Sequence, residues 1–539
     1  MPTCALHVSL ARHPRSHRAE LCCIITPLSE TATKQSFIVT EAAVTSDVNP
    51  DVVVVGGGNA ALSAALAAIE QGANVLVLEK APEYLRGGNS YFTGGLFRFA
   101  YDGLEDLLPI LPDMSEEEKS GIDVGSYTES AFYEDIMRVT EGLSDAQLVQ
   151  TLVSQSLPTM RWLGEQGVPW ILAYGRQAFR HDGVLRFWGG LIVEAVGGGK
   201  GLSDSQFELV SQKGGAIRYG AKASGLITNR RGEITGLTIR DENGFHDLEC
   251  DSVVLACGGF EANSEMRTRY LGPGWELAKV RGTQFNTGDG IKMALDIGAQ
   301  SFGHWSGCHA VAWDLNAPPT GDRNIADLFQ KHSYPFGIIV NVDGERFVDE
   351  GADFRNYTYA KYGREILFQP QRAAFQIFDQ KTKHLLRDEY DIPQVSKVEA
   401  NTIEALADGL SIDREGLVNT VRQFNDAVQD GDYNPTALDG KHTLGIEPPK
   451  SNWALPIDSP PYMGYAVTCG ITFTFGGLKI NETGRVMDTE DAPIPGLYAA
   501  GELVGGLFYH NYPGGSGLMA GAVFGKIAGE SAARYANTR

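Results

Sequence analysis

The stretch from Asp51 to Ala61, with Gly56, Gly57 and Gly58 after four consecutive valines, has the residue types and spacing that cradle a phosphate-bearing ligand. Gly56 permits a tight turn and Gly58 lets the backbone approach a pyrophosphate. Ala61 stands where a third small residue packs helix on strand. A helix opening here, at Asn59 and Ala60, offers free N–H groups and a partial positive charge to the anion. A second apolar run, Val75 to Leu78, ends in Glu79 and Lys80. Glu79 falls where a carboxylate accepts hydrogen bonds from a ribose diol. Strand, glycine turn, helix, strand and acid follow in the order of a dinucleotide fingerprint.

The elements that must hold this turn are those of a large α/β protein. With 539 residues and 43% hydrophobic content, the chain is long enough for two or more domains. Its 64 glycines cluster between apolar runs, as in loops that approach a cofactor closely. A net charge of -22 argues against nucleic acid and anionic membranes as partners. An anionic substrate would therefore need a locally cationic pocket. The cysteines number 7, without a CxxC, so a disulfide scaffold, a zinc site and an iron–sulfur site are not expected, and no metal is assigned. No apolar run approaches the ~20 residues of a membrane span. Residues 1–48, with Arg12, Arg15 and Arg18, read either as a disordered tail or early start, or as a weak targeting segment. The expected location is intracellular and cytoplasmic, with a mitochondrial address as the alternative.

Further along, residues from about 105 to 170 carry helical spacing, with a capping-box start at Ser144 and a break expected at Pro158. Alternating strands surround Arg231-Gly232, and another hairpin turns at Asp343-Gly344. A buried strand ends at Ala256-Cys257-Gly258-Gly259. Residues from about 350 to 460 read as helix-rich and more polar, and the tail closes on a small-residue helix from Ser516.

Four motifs together resemble the fumarate reductase/succinate dehydrogenase flavoprotein family. They are the fingerprint, the Gly87-Gly88-Asn89-Ser90 loop, Ala256 to Phe260, and Thr474 to Gly477 continuing through Gly496 to Glu502. Their order matches from about residue 50 to the C-terminus. Within the group, Asp349 to Tyr357 and Tyr509 to Pro513 look most like tricarballylate dehydrogenase-type enzymes. The 3-ketosteroid Δ1-dehydrogenases share the Tyr-Pro-Gly part. The resemblance implies a Rossmann-like FAD-binding domain of the GR2 type (49–320 and 463–539), interrupted by a helix-rich α+β capping domain (321–462). It implies FAD bound at Gly56, Gly58, Asn59, Ala60, Glu79 and Lys80. The same cofactor would touch Gly87 to Ser90, Gly94, Gly95, Ala256 and Gly258. Gly501 and Glu502 would serve the ribitol. A helix opening at Gly515, Ser516, Gly517 and Leu518 would stabilise negative charge on the reduced ring. Family members with covalent flavin carry a His in the loop that here runs from Gly87 to Gly95 without one, so FAD is expected to be non-covalent.

The resemblance also implies hydride transfer between flavin N5 and a carbon next to an activated C–C bond, with a protein group moving the neighbouring proton. It places His309 on substrate, Glu350 in the proton path and Arg355 as a carboxylate clamp in the cap. Phe473 stands where fumarate reductases carry a His, Tyr512 where they carry a substrate-binding Arg, and Lys383 near their acid Arg. In their place Tyr509, His510 and Tyr512 would line the flavin turn, and a phenol there can donate to a carbonyl or relay a proton. A cationic pocket would draw on Arg355, His309 and His510, with Arg180, His181 and Arg186 as further candidates. Lys200 reads equally as a phosphate contact or a solvated lysine.

Desaturation or reduction of a C–C bond beside a carboxylate or carbonyl is the expected reaction, tricarballylate dehydrogenase-like. The alternatives are an enoate reductase of the fumarate type and an enzyme for an apolar cyclic ketone, for which Phe473, Tyr512 and the apolar Phe97, Phe99 and Trp188 speak. The partners are a small-molecule substrate and an electron acceptor that the residues leave open.

Overall fold

The computed structural model describes residues 49–539, apart from Asp113, Arg176, Asp182, Trp188 and Gly189. The readings of residues 1–48 and of Trp188 lie outside the described residues.

Strand β1 (Val52–Val55) is four valines with both faces covered, as a central parallel strand must be. It turns at Gly56 into α1 (Asn59–Glu70) and returns as β2 (Val75–Leu78). Next come α2 (Ala146–Gln166), α3 (Gly198–Gln212), β3 (Ala216–Arg218) and β4 (Ser252–Leu255). The middle of the chain supplies β5 (Ser301–Asp314), β6 (Ile338–Asn341), α4 (Tyr359–Leu367), β7 (Ala374–Phe378), α5 (Ile403–Leu410) and α6 (Arg414–Ala427). It ends with β8 (Tyr462–Leu478), β9 (Arg485–Met487), β10 (Pro493–Ala499) and α7 (Ser516–Ala536).

One sheet has the order β9-β10-β4-β1-β2-β3, parallel except for β9. The chain leaves β1 for β2 on one side and later returns as β4 on the other. A crevice for a ligand opens at the carboxyl ends of strands where the order reverses in this way. Helix α7 lies against α1 through glycines: a Cβ on Gly525 would stand 2.4 Å from the Ala60 carbonyl oxygen, and one on Gly529 would stand 2.1 Å from that of Ala64. This close approach brings the C-terminal helix to the N-terminal glycine turn. Asn59 Nδ2 donates to the Leu518 carbonyl at 2.8 Å, so the two helix starts are joined directly.

The second sheet is built on β8, which pairs antiparallel with β5 and β7, while β7 pairs with β6. Within residues 350–460 this sheet contributes β7 and the strand Lys397–Ala400, while α4, α5 and α6 supply the greater part of the regular structure, as the helical spacing leads one to expect. The β5–β8 ladder slips between His304 and Cys308 and again between His309 and Ala310. Such irregularities re-aim a side chain, and His309 sits between the two.

Two expected details change. Pro158 lies inside α2 rather than ending it; a proline removes one backbone donor, and the buried face on both sides, from Leu152 to Leu163, holds the helix together. The cap of α2 is Asp145, whose carboxylate accepts the N–H groups of Gln147 and Leu148, not Ser144. Ser144 instead donates to the Leu507 carbonyl, at 2.8 Å. No helix among the described residues is long and apolar enough to cross a membrane.

Candidate functional site

A single cleft runs from the turn after β1 to the start of α7 and on beneath β5 and the loop before α4, with about 1900 Å³ of empty space including its open mouth.

At the nucleotide end, Gly56, Gly58, Asn59, Ala60, Glu79 and Lys80 all lie on the wall. A Cβ on Gly56 would stand 2.4 Å from the Ala256 carbonyl oxygen, so the turn tolerates no side chain. Above Gly58 the first atom met is Ser90 Oγ, at 3.4 Å, and Ser90 Oγ accepts the Asn59 N–H at 2.9 Å. Helix α1 has no cap from its own N-cap residue, Gly58, and no acid in its first turn, which leaves its remaining free N–H groups to an anion. Glu79 is buried, with the Ala81 N–H on one carboxylate oxygen at 2.7 Å; burial raises its pKa. Lys80 turns away to Asp289 and Thr287, so its role at the wall is to steady that corner.

In the middle, Gly88, Asn89, Ser90, Gly94, Ala256, Gly258, Gly501 and Glu502 line the cleft. Gly87 and Gly95 do not: they press on the helix behind, where a Cβ would meet Ser203 Oγ at 2.4 Å and Gly198 at 2.7 Å. Glu502 accepts the Thr474 N–H at 2.9 Å. Behind it Glu261, which sequence reasoning missed, is fully buried and accepts from the Asn89 and Asn286 amides, each at 2.6 Å. Burial, and then Glu502 beside it, hold the Glu261 carboxyl well above the usual range. Gly515, Gly517 and Leu518 bring the start of α7 to the wall, again with no side-chain cap. Ser516 is buried just behind, its hydroxyl without a partner among the described residues. Two uncapped helix starts, a buried ribose acid and glycines at the backbone approaches fit an FAD.

At the far end, His309 and Tyr512 are almost fully buried and line the same cavity as Arg281, Arg355, Arg387, His332 and Tyr359. Tyr512 and Tyr359 share a hydrogen bond of 2.5 Å. The His309 ring packs on Tyr359 at 5.0 Å and on Tyr512 at 4.8 Å, and neither of its nitrogens has a partner among the described residues. Burial and Arg281 hold His309 well below its usual pKa, hence neutral. Burial, with Arg387 adding to it, brings Arg355 down to about 9. Arg281 reaches Thr472 Oγ1 and Asp327, each at 3.2 Å. Phe473 and Phe508 form the apolar side. Burial also raises the Tyr512 phenol far above its usual value, so it stays protonated. The loop before α4 is tied to the turn before α7: Gly514 N–H donates to Asn356 O at 3.0 Å, and Asn511 Nδ2 to Tyr357 O at 2.6 Å. Arg98, fully buried, donates from Nε to Gly514 O at 2.8 Å.

Several sequence candidates fall elsewhere. Glu350 is fully buried but lies off the cavity wall. Arg346 holds its carboxylate at 2.5 Å and the Ile339 N–H at 2.7 Å, so it braces β6 rather than facing substrate. His510 is exposed, its N–H on His304 Nδ1 at 3.0 Å. Its positive φ of 58° turns it out of the cavity, and Tyr509 stacks on His304 beside it. Lys383 is exposed; Arg387, one turn on, is the cation of that segment on the wall. Arg180 and Arg186 are exposed, the latter near Asp123, and Lys200 pairs with Asp204. Phe97 and Phe99 are core residues.

The parallel sheet with its glycine turn, the paired helix starts and the aromatic–cationic end define a flavin-dependent oxidoreductase. Residues 51–518 match the family described as FAD binding domain, and the chain belongs to that family, among the fumarate reductase-type flavoproteins that act on CH–CH groups. A probable fumarate reductase of Shewanella frigidimarina is 30% identical over 490 residues, 90% of this chain and 75% of that protein. The open conformation of a flavocytochrome c3 fumarate reductase superposes with a TM-score of 0.68 at 28% identity, over 90% of this chain and 78% of the other. A 3-ketosteroid Δ1-dehydrogenase of Sterolibacterium denitrificans shares the fold, with a TM-score of 0.68 at 21% identity, over 91% and 100% of the two chains.

Proposed function

We propose that the protein desaturates a polycarboxylate at the C–C bond next to a carboxylate, as a tricarballylate dehydrogenase does, with FAD held non-covalently and residues 321–462 acting as a lid. The observation that carries this reading is the convergence of Arg281 and Arg355 with His309 and Tyr512 on one cavity end. Guanidinium groups in a buried site favour carboxylates over neutral ligands. They also answer the repulsion that a surface of net charge -22 exerts on an anion.

FAD held between the starts of α1 and α7 would supply the hydride acceptor for the substrate carbon. Arg281 and Arg355 hold the carboxylates. The arriving negative charge favours protonation of His309, which takes the proton of the neighbouring carbon. Tyr512, still protonated and backed by Tyr359, donates to the carboxylate oxygen on which charge develops. The same groups serve the reverse reduction of an enoate. Non-covalent attachment is supported by the His-free loop from Gly87 to Gly95 and by Cys257, on the wall, whose thiol burial pushes up to about 12.

The aromatic side, Phe473, Phe508 and Tyr359, favours the cyclic-ketone reading as the second choice. Anaerobic addition of di- and tricarboxylates and of ring ketones, read by loss of flavin absorbance, tests both. Bleaching by a polycarboxylate supports the first reading; bleaching by the ketone alone replaces it with the second.

A further inference from the structure

Beyond the groups used above, the cavity end holds a second pair that the reaction leaves idle. His332 is 2% exposed, lines the cavity, and its Nε2 has no partner among the described residues. Leaving a buried polar atom unpaired is costly, and a carboxylate arriving at His332 would remove that cost. Arg387 lines the same wall. Its Nε is committed to Glu389, at 3.1 Å, while no Nη hydrogen bond is made to any described residue.

The two residues come from separate segments that are locked together. Arg387 N–H donates to Ser333 Oγ at 3.2 Å, Ser333 N–H to Tyr390 Oη at 2.8 Å, and Lys331 Nζ to Glu389 O at 2.9 Å. Tyr359 lies against both imidazoles, 5.0 Å from His309 and 4.8 Å from His332, edge to face in each case. Arg281 is the cation that bears on His309; Arg355, Arg281 and Arg387, in that order, bear on His332.

We infer that His332 and Arg387 form an additional anion subsite, next to the carboxylate positions at Arg281 and Arg355, that takes a third carboxylate and sets preference for tri- over dicarboxylates. The inference rests on the proposed polycarboxylate reaction and names what selects among such substrates. A carboxylate there would satisfy His332 Nε2 and accept from the Arg387 fork. A dicarboxylate would leave both unused.

The test is equilibrium binding of tricarballylate and of succinate to the FAD-loaded protein, followed by flavin absorbance under anaerobic conditions, for wild type, Arg387→Gln, Arg387→Lys and His332→Gln. FAD content and Tm report folding for each. Truncating one partner of a buried charge pair weakens binding by ~10-fold or more. Arg387→Gln and His332→Gln are therefore expected to weaken tricarballylate by at least ~10-fold, leave succinate within about twofold, and so collapse the preference; Arg387→Lys should recover part of it. Equal weakening of both ligands, or an unchanged preference in folded variants, overturns the subsite while leaving the reaction standing. A wild-type protein that binds neither ligand overturns both.

Discussion

The Tyr359 and Tyr512 phenols lie 2.5 Å apart, although the residues are 153 positions apart in the chain: one opens α4 and the other precedes α7. Each phenol has one proton, so when one donates to the other, the acceptor keeps its O–H for the cavity. Hydrogen bonds in series polarise one another. The pair therefore delivers one strengthened donor to the place where substrate charge would develop.

Tyr512→Phe removes that donor without touching the nucleotide end. Loss of a single donor to a developing oxyanion costs roughly 10²–10³ in rate. We expect kcat to fall by about that factor while FAD content stays at the wild-type level, with Tyr359→Phe intermediate. Stopped-flow flavin reduction and the flavin-to-protein absorbance ratio measure both. An unchanged rate removes Tyr512 from the chemistry.

Arg355 lines the cavity end, where burial and then Arg387 press against its charge, so an arriving carboxylate gains most there. Truncating one partner of a buried charge pair weakens binding by ~10-fold or more. Arg355→Gln is therefore expected to weaken polycarboxylate affinity by at least ~10-fold with FAD content unchanged, as read by flavin titration. Wild-type affinity in the folded variant shows that Arg355 does not carry the anion.

Gly525→Val forces a side chain in where even a Cβ would stand 2.4 Å from the Ala60 carbonyl oxygen. Overpacking of this kind costs about 1–3 kcal/mol, and here it separates α7 from α1. Both Tm and FAD retention should drop together, because the two helix starts share the cofactor. A lowered Tm with full FAD retention would show that the helices bind it independently.

The nucleotide end was legible because its chemistry is local. Glycine turn, helix start and acid lie within one βαβ unit from Val52 to Glu79, where spacing alone fixes geometry. The far end was not, since Arg281, His332, Tyr359 and Arg387 come from separate segments and meet only when β5 and β8 pair. Glu350 lies off the cavity wall. Its spacing from Arg346 already suits an internal ion pair, and the structure forms that pair. His510 lies two residues from Tyr512, yet a single positive φ sends it to the surface. In the capping segment α5 and α6 were legible from their amphipathic patterns, whereas β6 and β7 are short apolar runs whose period does not separate strand from buried helix.

Anaerobic titration of the purified protein with tricarballylate, followed in the flavin absorption band, tests the central claim most directly. The predicted result is a yellow protein, releasing free FAD on denaturation, whose absorbance bleaches on substrate addition and recovers with an electron acceptor. A colourless protein that refuses FAD, or a yellow one that no polycarboxylate bleaches in either direction, would contradict it.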